Sequence, residues 1–213
     1  MATGRDRRMV AGILAGIGLP FAIAGSLVAV LVPPNLSRQA ESAAELRLAT
    51  AETLKERGVE VAVEGVIHDL TPLAFESFVA YVEYARVTRD GETEWEKHAI
   101  HNPPLWLSIP GGQVELTEGY SIRTTTTTHE ANGRRYLGFT VGDRVFVMGQ
   151  LAATATADQP ARIDAHTVTA ETQAEYVASL RSGVLVARWL GILFCVVGGD
   201  LILSGGVVFF WRA

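Results

Sequence analysis

The sequence predicts a membrane protein in which two transmembrane helices flank a β-rich (α+β) soluble domain. Three observations carry this expectation. Long apolar runs occupy residues 9–32 and 189–211. Each is long enough, at 1.5 Å per residue, to cross a hydrocarbon core roughly 30 Å thick. Between them the apolar spacing shifts to a period of two, broken at short intervals by Gly and Pro. Many short, regularly punctuated strands fit a barrel or a sandwich, with an OB-like barrel among the candidates.

Residues 1–8 form a basic tail containing Arg5, Arg7 and Arg8. Cations before an apolar run also open a signal peptide. This run, however, exceeds an h-region of roughly 7–15 residues, and Pro33-Pro34-Asn35 lacks a small-x-small cleavage pattern. A retained anchor is therefore expected, kinked at Pro20. In the second run, Arg188-Trp189 and Trp211-Arg212 set rings and cations at both headgroup levels. The N-terminal arginines orient the first span with its start in the cytoplasm. Two spans then return the C terminus to that side and leave the middle domain extracytoplasmic.

Residues 35–58 are rich in Ala, Glu, Leu and Arg, with Arg38/Glu41 and Glu52/Glu56 at helical spacing. They predict a helical linker that Gly58 ends. The β-rich domain is assigned to residues 59–170. Val59, Val61, Val63 and Gly65 alternate with Glu60, Ala62, Glu64 and Val66 as a strand. A strand at 78–88 turns through Asp90-Gly91 into a partner at 94–100. Strands at 105–109, 113–116 and 121–129 follow, the last including the threonines 124–128, whose branched side chains suit a pleated surface. Asn132-Gly133 is a hairpin turn, and strands at 144–155 and 162–169 complete the domain. Trp95, Trp106 and Tyr81 are assigned to the barrel core. Residues 171–188 predict a second helical linker.

A net charge of −5 with 19% charged residues leaves no basic face, so nucleic acid is not an expected partner. The single cysteine, Cys195, lies in the second apolar run, so the middle domain has neither a disulfide nor a thiolate metal ligand. His98 and His101 sit at i and i+3 in a strand, where they point to opposite faces; a shared metal is not expected. Ser77, Ser108 and Ser121 lack a nucleophile-elbow context, and Gly111-Gly112 reads as a turn. No catalytic, cofactor-binding or metal-ligating residue is nominated.

The candidates lie in the spans. Asp200 stands near the middle of the second, where a carboxylate costs about 2.5–3.5 kcal/mol on insertion. It is either a polar contact for a partner helix or a protonated group bonded to Ser26, Ser204 or a backbone carbonyl. Gly191, Gly198 and Gly205 recur every seven residues, and Gly199 with Gly206 repeats that spacing. In the first span Gly12/Gly16 and Gly18/Ala22/Ser26 recur every four. Such seams let backbones approach closely. The expected use is packing of the two spans on each other, with homo-oligomerisation or a foreign partner as the alternative. Arg188 marks the entry to the second span.

Val61-Ala62-Val63-Glu64-Gly65-Val66, Trp95, the stretch from Tyr136-Leu137 through Val141-Gly142-Asp143-Arg144 to Gly149-Gln150-Leu151, and Tyr176-Val177-Ala178-Ser179-Leu180 together resemble the GIDE/MULAN family of membrane-anchored E3 ubiquitin ligases. In that family a β-rich domain lies between two spans and a RING finger follows the second. The resemblance covers only the part before the RING, and one cysteine cannot supply RING zinc ligands. It implies a sensing or scaffolding domain beside the lipid bilayer that binds a protein partner or ligand. The alternatives are a non-catalytic subunit of a ligase-like or hydrolytic enzyme assembly, and an accessory subunit of a transporter.

Overall fold

The computed structural model describes residues 4–156 and 159–210. Among these residues, two long helices, α1 (Gly4–Glu45) and α2 (Gln173–Phe210), flank ten strands. The chain divides into two compact units, the helix pair up to Ser42 and from Val177, and a β-rich unit, Ala43–Tyr176. Both helices are long and apolar enough to cross a membrane, and only 17% of the apolar window in each is buried within the protein. Leu19, Ile23, Leu193 and Leu203 point outward.

Within the helix pair, contact is made where side chains are missing. A Cβ on Gly198 would stand 2.6 Å from Ala22 N, and one on Gly191 would stand 2.6 Å from Ala29 Cβ. Gly18 faces Gly198, Gly25 faces Gly191, and Leu36 faces Gly183. Positions rising in α1 thus meet positions falling in α2, so the helices are antiparallel. The seven-residue steps from 191 to 198 and from 18 to 25 keep one seam on the partner. Phe21 and Phe194 pack beside it, ring centroids 5.8 Å apart.

Pro20, Pro33 and Pro34 all lie inside α1. A proline removes one rung of the helix ladder. Near the Pro pair, side chains add bonds to backbone carbonyls of the same helix: Asn35 Nδ2 donates to Leu31 O (3.0 Å) and Arg38 Nε to Pro34 O (3.3 Å).

The expected helix through residue 57 stops at Glu45. Leu48 forms a bridge to Ala62, Ala49 N donates to Ala62 O, and Leu54 is buried in the β-unit core. Tertiary burial overrides the helical composition of this stretch.

Five strands close a barrel: β1 (Glu60–Ile67), β4 (Leu105–Ile109), β5 (Gly112–Leu116), β9 (Arg144–Ala153) and β10 (Ala161–Thr169). Around it they run β5-β4-β1-β9-β10, with β10 returning to β5 in parallel. Inward positions alternate as the period of two requires: Leu105, Leu107 and Ile109 of β4 are buried, while Trp106 and Ser108 face out. Two hairpins inserted into the barrel connections form a separate four-stranded sheet, β3 (Glu92–His101), β2 (Phe78–Arg89), β8 (Arg134–Thr140) and β7 (Thr127–Ala131), in that order. Asn132 (φ 54°) and Gly133 (φ 73°) both have the left-handed backbone that a two-residue hairpin turn needs. Val79 and Phe139 of this sheet are buried in the barrel's own core, so the two sheets fold as one unit.

The threonine-rich strand expected at 121–129 divides into β6 (Ser121–Ile122), which pairs with β10 in parallel, and β7, which joins the other sheet. Neither tryptophan enters the barrel core. Trp95 lies on β3 under the Arg135 guanidinium, 4.5 Å from its centroid, and Trp106 is half-buried on the outer face of β4. Tyr81 belongs to a second cluster with Phe78 and Tyr136. The aromatics inside the barrel core are Phe139 and Tyr120, and the Tyr120 hydroxyl donates to Pro103 O (2.8 Å) while burial pushes its pKa up.

Candidate functional site

A groove of about 400 Å³ crosses the outer face of the β-unit. Its floor is β1 at Glu64, Gly65 and Val66, β4 at Ser108 and Ile109, and β9 at Arg144 and Val145. One wall is Leu48, Ala49 and Thr50, just after α1. The other is Ala170, Glu171 and Thr172, just before α2. This volume lies in the range of small-molecule sites, roughly 300–1,000 Å³.

Backbone hydrogen bonds fix the first wall to the strands, from Ala49 N to Ala62 O (2.8 Å) and from Ala51 N to Pro110 O (3.0 Å). The second wall is held by Ala170 N to Thr124 O (2.9 Å) and by the Thr124 hydroxyl on Glu171 Oε1 (3.1 Å). Gln173 links both. Its side-chain amide donates to Ala43 O (2.6 Å) and Leu46 O (2.7 Å), two carbonyls at the end of α1, and its backbone N donates to Glu64 Oε1 (2.8 Å) on the groove floor. Carbonyls at a helix C-terminus have no intrahelical partner, and here the first residue of the other helix supplies one.

The start of α2 carries its own device. Thr172 N and hydroxyl donate to Glu175 Oε2 (2.8 and 2.9 Å), and Glu175 N donates to the Thr172 hydroxyl (3.3 Å). This is a capping box. The bonds from Thr172 hold the Glu175 carboxyl below the usual range.

Charge in the groove is of both signs. Arg144 is exposed and makes no ion pair among the described residues. It pairs in register with Val66, two residues along β1 from Glu64, so both charged side chains rise from the outward face as diagonal neighbours.

A second polar feature lies on the four-stranded sheet. Glu83, only 6% exposed, meets Arg134 as an ion pair without hydrogen-bond geometry, and His101 Nε2 lies 3.8 Å from its other oxygen. His129 Nε2 lies 3.1 Å from Glu76 Oε2. Between these pairs Tyr81 stacks on His101 (4.4 Å) and Phe75 on Tyr136 (4.5 Å). Burial, and then Tyr136, raise the Tyr81 pKa. The rings fill the space between the pairs, and among the described residues no three His, Cys, Asp or Glu side chains converge as a metal site.

The span candidates separate. Gly191 and Gly198 sit in the helix seam and Gly205 is buried. Gly16 is exposed, with nothing within 4 Å of where its Cβ would be, so the seam runs through Gly18 and Gly25 instead. The surroundings of Gly12 and Gly206, and the residues Trp211 and Arg212, lie outside the described residues. Arg188 is exposed. Asp200 is also exposed, and none of its expected partners holds it. The Ser26 hydroxyl donates to Ala22 O (2.8 Å) and touches Cys195 Sγ (3.5 Å). Arg144, Glu64 and Gln173 escaped the sequence reading because they form no local motif. The capping box Thr172-Gln173-Ala174-Glu175 was readable there. No family model, curated protein or solved structure matches this chain.

Proposed function

We propose that this is a membrane-anchored sensing or scaffolding protein whose β-rich domain receives a ligand or partner in the groove. In this reading α1 and α2 span the bilayer, both termini are cytoplasmic, and the domain is extracytoplasmic, as Arg5, Arg7 and Arg8 favour. The observation that carries it is the construction of the groove. Its two walls are the segments leading out of α1 and into α2, and Gln173 ties both helix ends to its floor. An occupant that spreads or clamps the walls acts directly on the roots of both helices. The barrel order, with the third and fifth barrel strands parallel, supports an OB-like fold, and the GIDE/MULAN resemblance supports the same plan without a RING.

The test is a photocrosslinking residue placed at Leu48 in the groove or at Val59 outside its lining, each 43% exposed. A discrete adduct from Leu48 alone, in intact cells, is the expected outcome. Equal or absent adducts at both positions would remove the groove from the proposal.

Asp200 favours a second reading, an accessory or non-catalytic subunit of a membrane assembly. An outward carboxylate on an apolar helix is costly in lipid unless another chain meets it. Under this reading Asp200→Leu strips a co-purifying membrane partner in mild detergent while Asp200→Asn, which keeps hydrogen bonding, retains it. Identical partners from both variants would exclude a role for Asp200.

A further inference from the structure

The groove offers two unlike charges and a strip of apolar floor, and its own chain uses them unequally. Glu171 has its carboxylate oxygens occupied by the Thr124 and Thr169 hydroxyls. Glu64 gives one oxygen to Gln173 N, and its other oxygen has no partner among the described residues. Arg144 likewise has no partner among the described residues. The register of β1 and β9, with Val66 opposite Arg144 and Glu64 opposite Phe146, makes these two diagonal neighbours. Diagonal positions on an antiparallel pair are about 7–8 Å apart. A cation and an anion that rise from neighbouring positions without forming an ion pair can receive the opposite ends of one small molecule.

We infer that the groove binds a short apolar peptide zwitterion, most simply a dipeptide. Its ammonium donates to Glu64, its carboxylate accepts from Arg144, and its side chains lie on Leu48, Val66 and Ile109. Two extended residues span about 7 Å at 3.3–3.6 Å each; with a hydrogen bond of about 3 Å at each end, such a molecule fits long Glu64 and Arg144 side chains that reach outward from neighbouring strand positions, whereas the charges of a single amino acid lie much closer together. Arg suits the carboxylate end because its planar fork can donate two hydrogen bonds to one carboxylate. The volume of about 400 Å³ also accommodates two apolar residues. The polar end of α1, with Asn35, Arg38, Gln39, Glu41 and Glu45, separates its apolar run from the groove wall along the chain. That favours a water-soluble occupant over a lipid seated in the bilayer. The inference rests on the groove being the recognition site and adds the chemistry of what enters it.

The experiment is isothermal titration of the full-length protein in mild detergent with Leu-Leu, N-acetyl-Leu-Leu and Leu-Leu amide. Leu-Leu is expected to bind, and each capped analogue, having lost one charge, to bind at least tenfold more weakly. Arg144→Gln is expected to bind Leu-Leu and its amide equally while still discriminating against the acetylated form. Glu64→Gln, which keeps the oxygen that Gln173 N needs, is expected to show the converse. This crossed pattern cannot arise from general loss of folding. No binding of Leu-Leu at millimolar concentration, equal binding of all three compounds, or variants that leave the discrimination intact would overturn the inference. If Leu48 still gives its adduct in cells, such a failure rejects the dipeptide alone; if the adduct is also missing, the groove itself is rejected.

Discussion

The helix pair and the barrel hold chain against chain with opposite materials. In the helix pair the closest approaches fall at Gly18, Gly25, Gly191 and Gly198, while Leu, Ile and Val point outward. In the barrel the large residues Ile67, Leu105, Leu107, Phe139 and Ile163 are the interior. The proposed setting of the helix pair in a bilayer and of the barrel in water accounts for the difference. Water drives apolar side chains inward, so a core forms from the largest of them. Lipid is as apolar as leucine and gives no such drive, so helices associate where small residues admit dispersion contacts between backbones.

The largest expected effect is at the seam. Gly198→Leu puts a side chain where Ala22 N lies 2.6 Å from the would-be Cβ, whereas Gly199→Leu points into open space. Because Ser26 Oγ and Cys195 Sγ are 3.5 Å apart, oxidation of Ser26→Cys with native Cys195 reports the pairing. Crosslinking is expected to vanish with Gly198→Leu and to persist with Gly199→Leu. The mirror experiment in the barrel is Phe139→Ala, which empties a fully buried site and is expected to cost about 3–5 kcal/mol, measured by urea unfolding of the full chain in mild detergent. The same substitution at outward Phe21 (41% exposed) should leave the barrel's unfolding midpoint unchanged.

At the groove, Gln173→Ala removes two side-chain bonds to the end of α1. At about 0.5–1.5 kcal/mol each, the loss should total about 1–3 kcal/mol, with amide exchange rising in the segment after Glu45. The smallest effect belongs to Glu175. Bonds from Thr172 lower its folded pKa, so its contribution is present above the ordinary carboxylate range and fades as pH falls through the depressed value. Amide exchange in the first turn of α2 should therefore rise on acidification, and Glu175→Gln should flatten that dependence. An unchanged acid profile in the variant would remove the cap from the account.

What was legible in the sequence was what depends on periodicity and on local turn chemistry. Alternation placed the strand expected at residues 59–66, which is β1, and Asp90-Gly91 and Asn132-Gly133 marked the β2–β3 and β7–β8 hairpins because left-handed backbone demands such residues. The end of α1 was not legible. Ala, Glu and Arg continue a helical composition to residue 57, and only the barrel's hold on Leu48 and Leu54 stops the helix earlier. Spacing nominated Gly191 and Gly198, yet it could not separate Gly16, which faces outward, from Gly18, which faces the seam. The groove was invisible for the same reason. Glu64 and Arg144 are far apart in the chain and become neighbours only through the register of β1 and β9.

The claim that one region is made for lipid and the other for water is tested most directly by topology. Glu92→Cys, at the exposed tip of the β2–β3 hairpin, should react with a membrane-impermeant maleimide in intact cells. Ala2→Cys should react only after permeabilisation, and native Cys195 should stay unlabelled until the membrane is dissolved. Labelling of Cys195 in intact membranes, or release of the protein by alkaline carbonate, would contradict the lipid setting of the helix pair. Labelling of Glu92→Cys only after lysis would place the barrel and its groove in the cytoplasm.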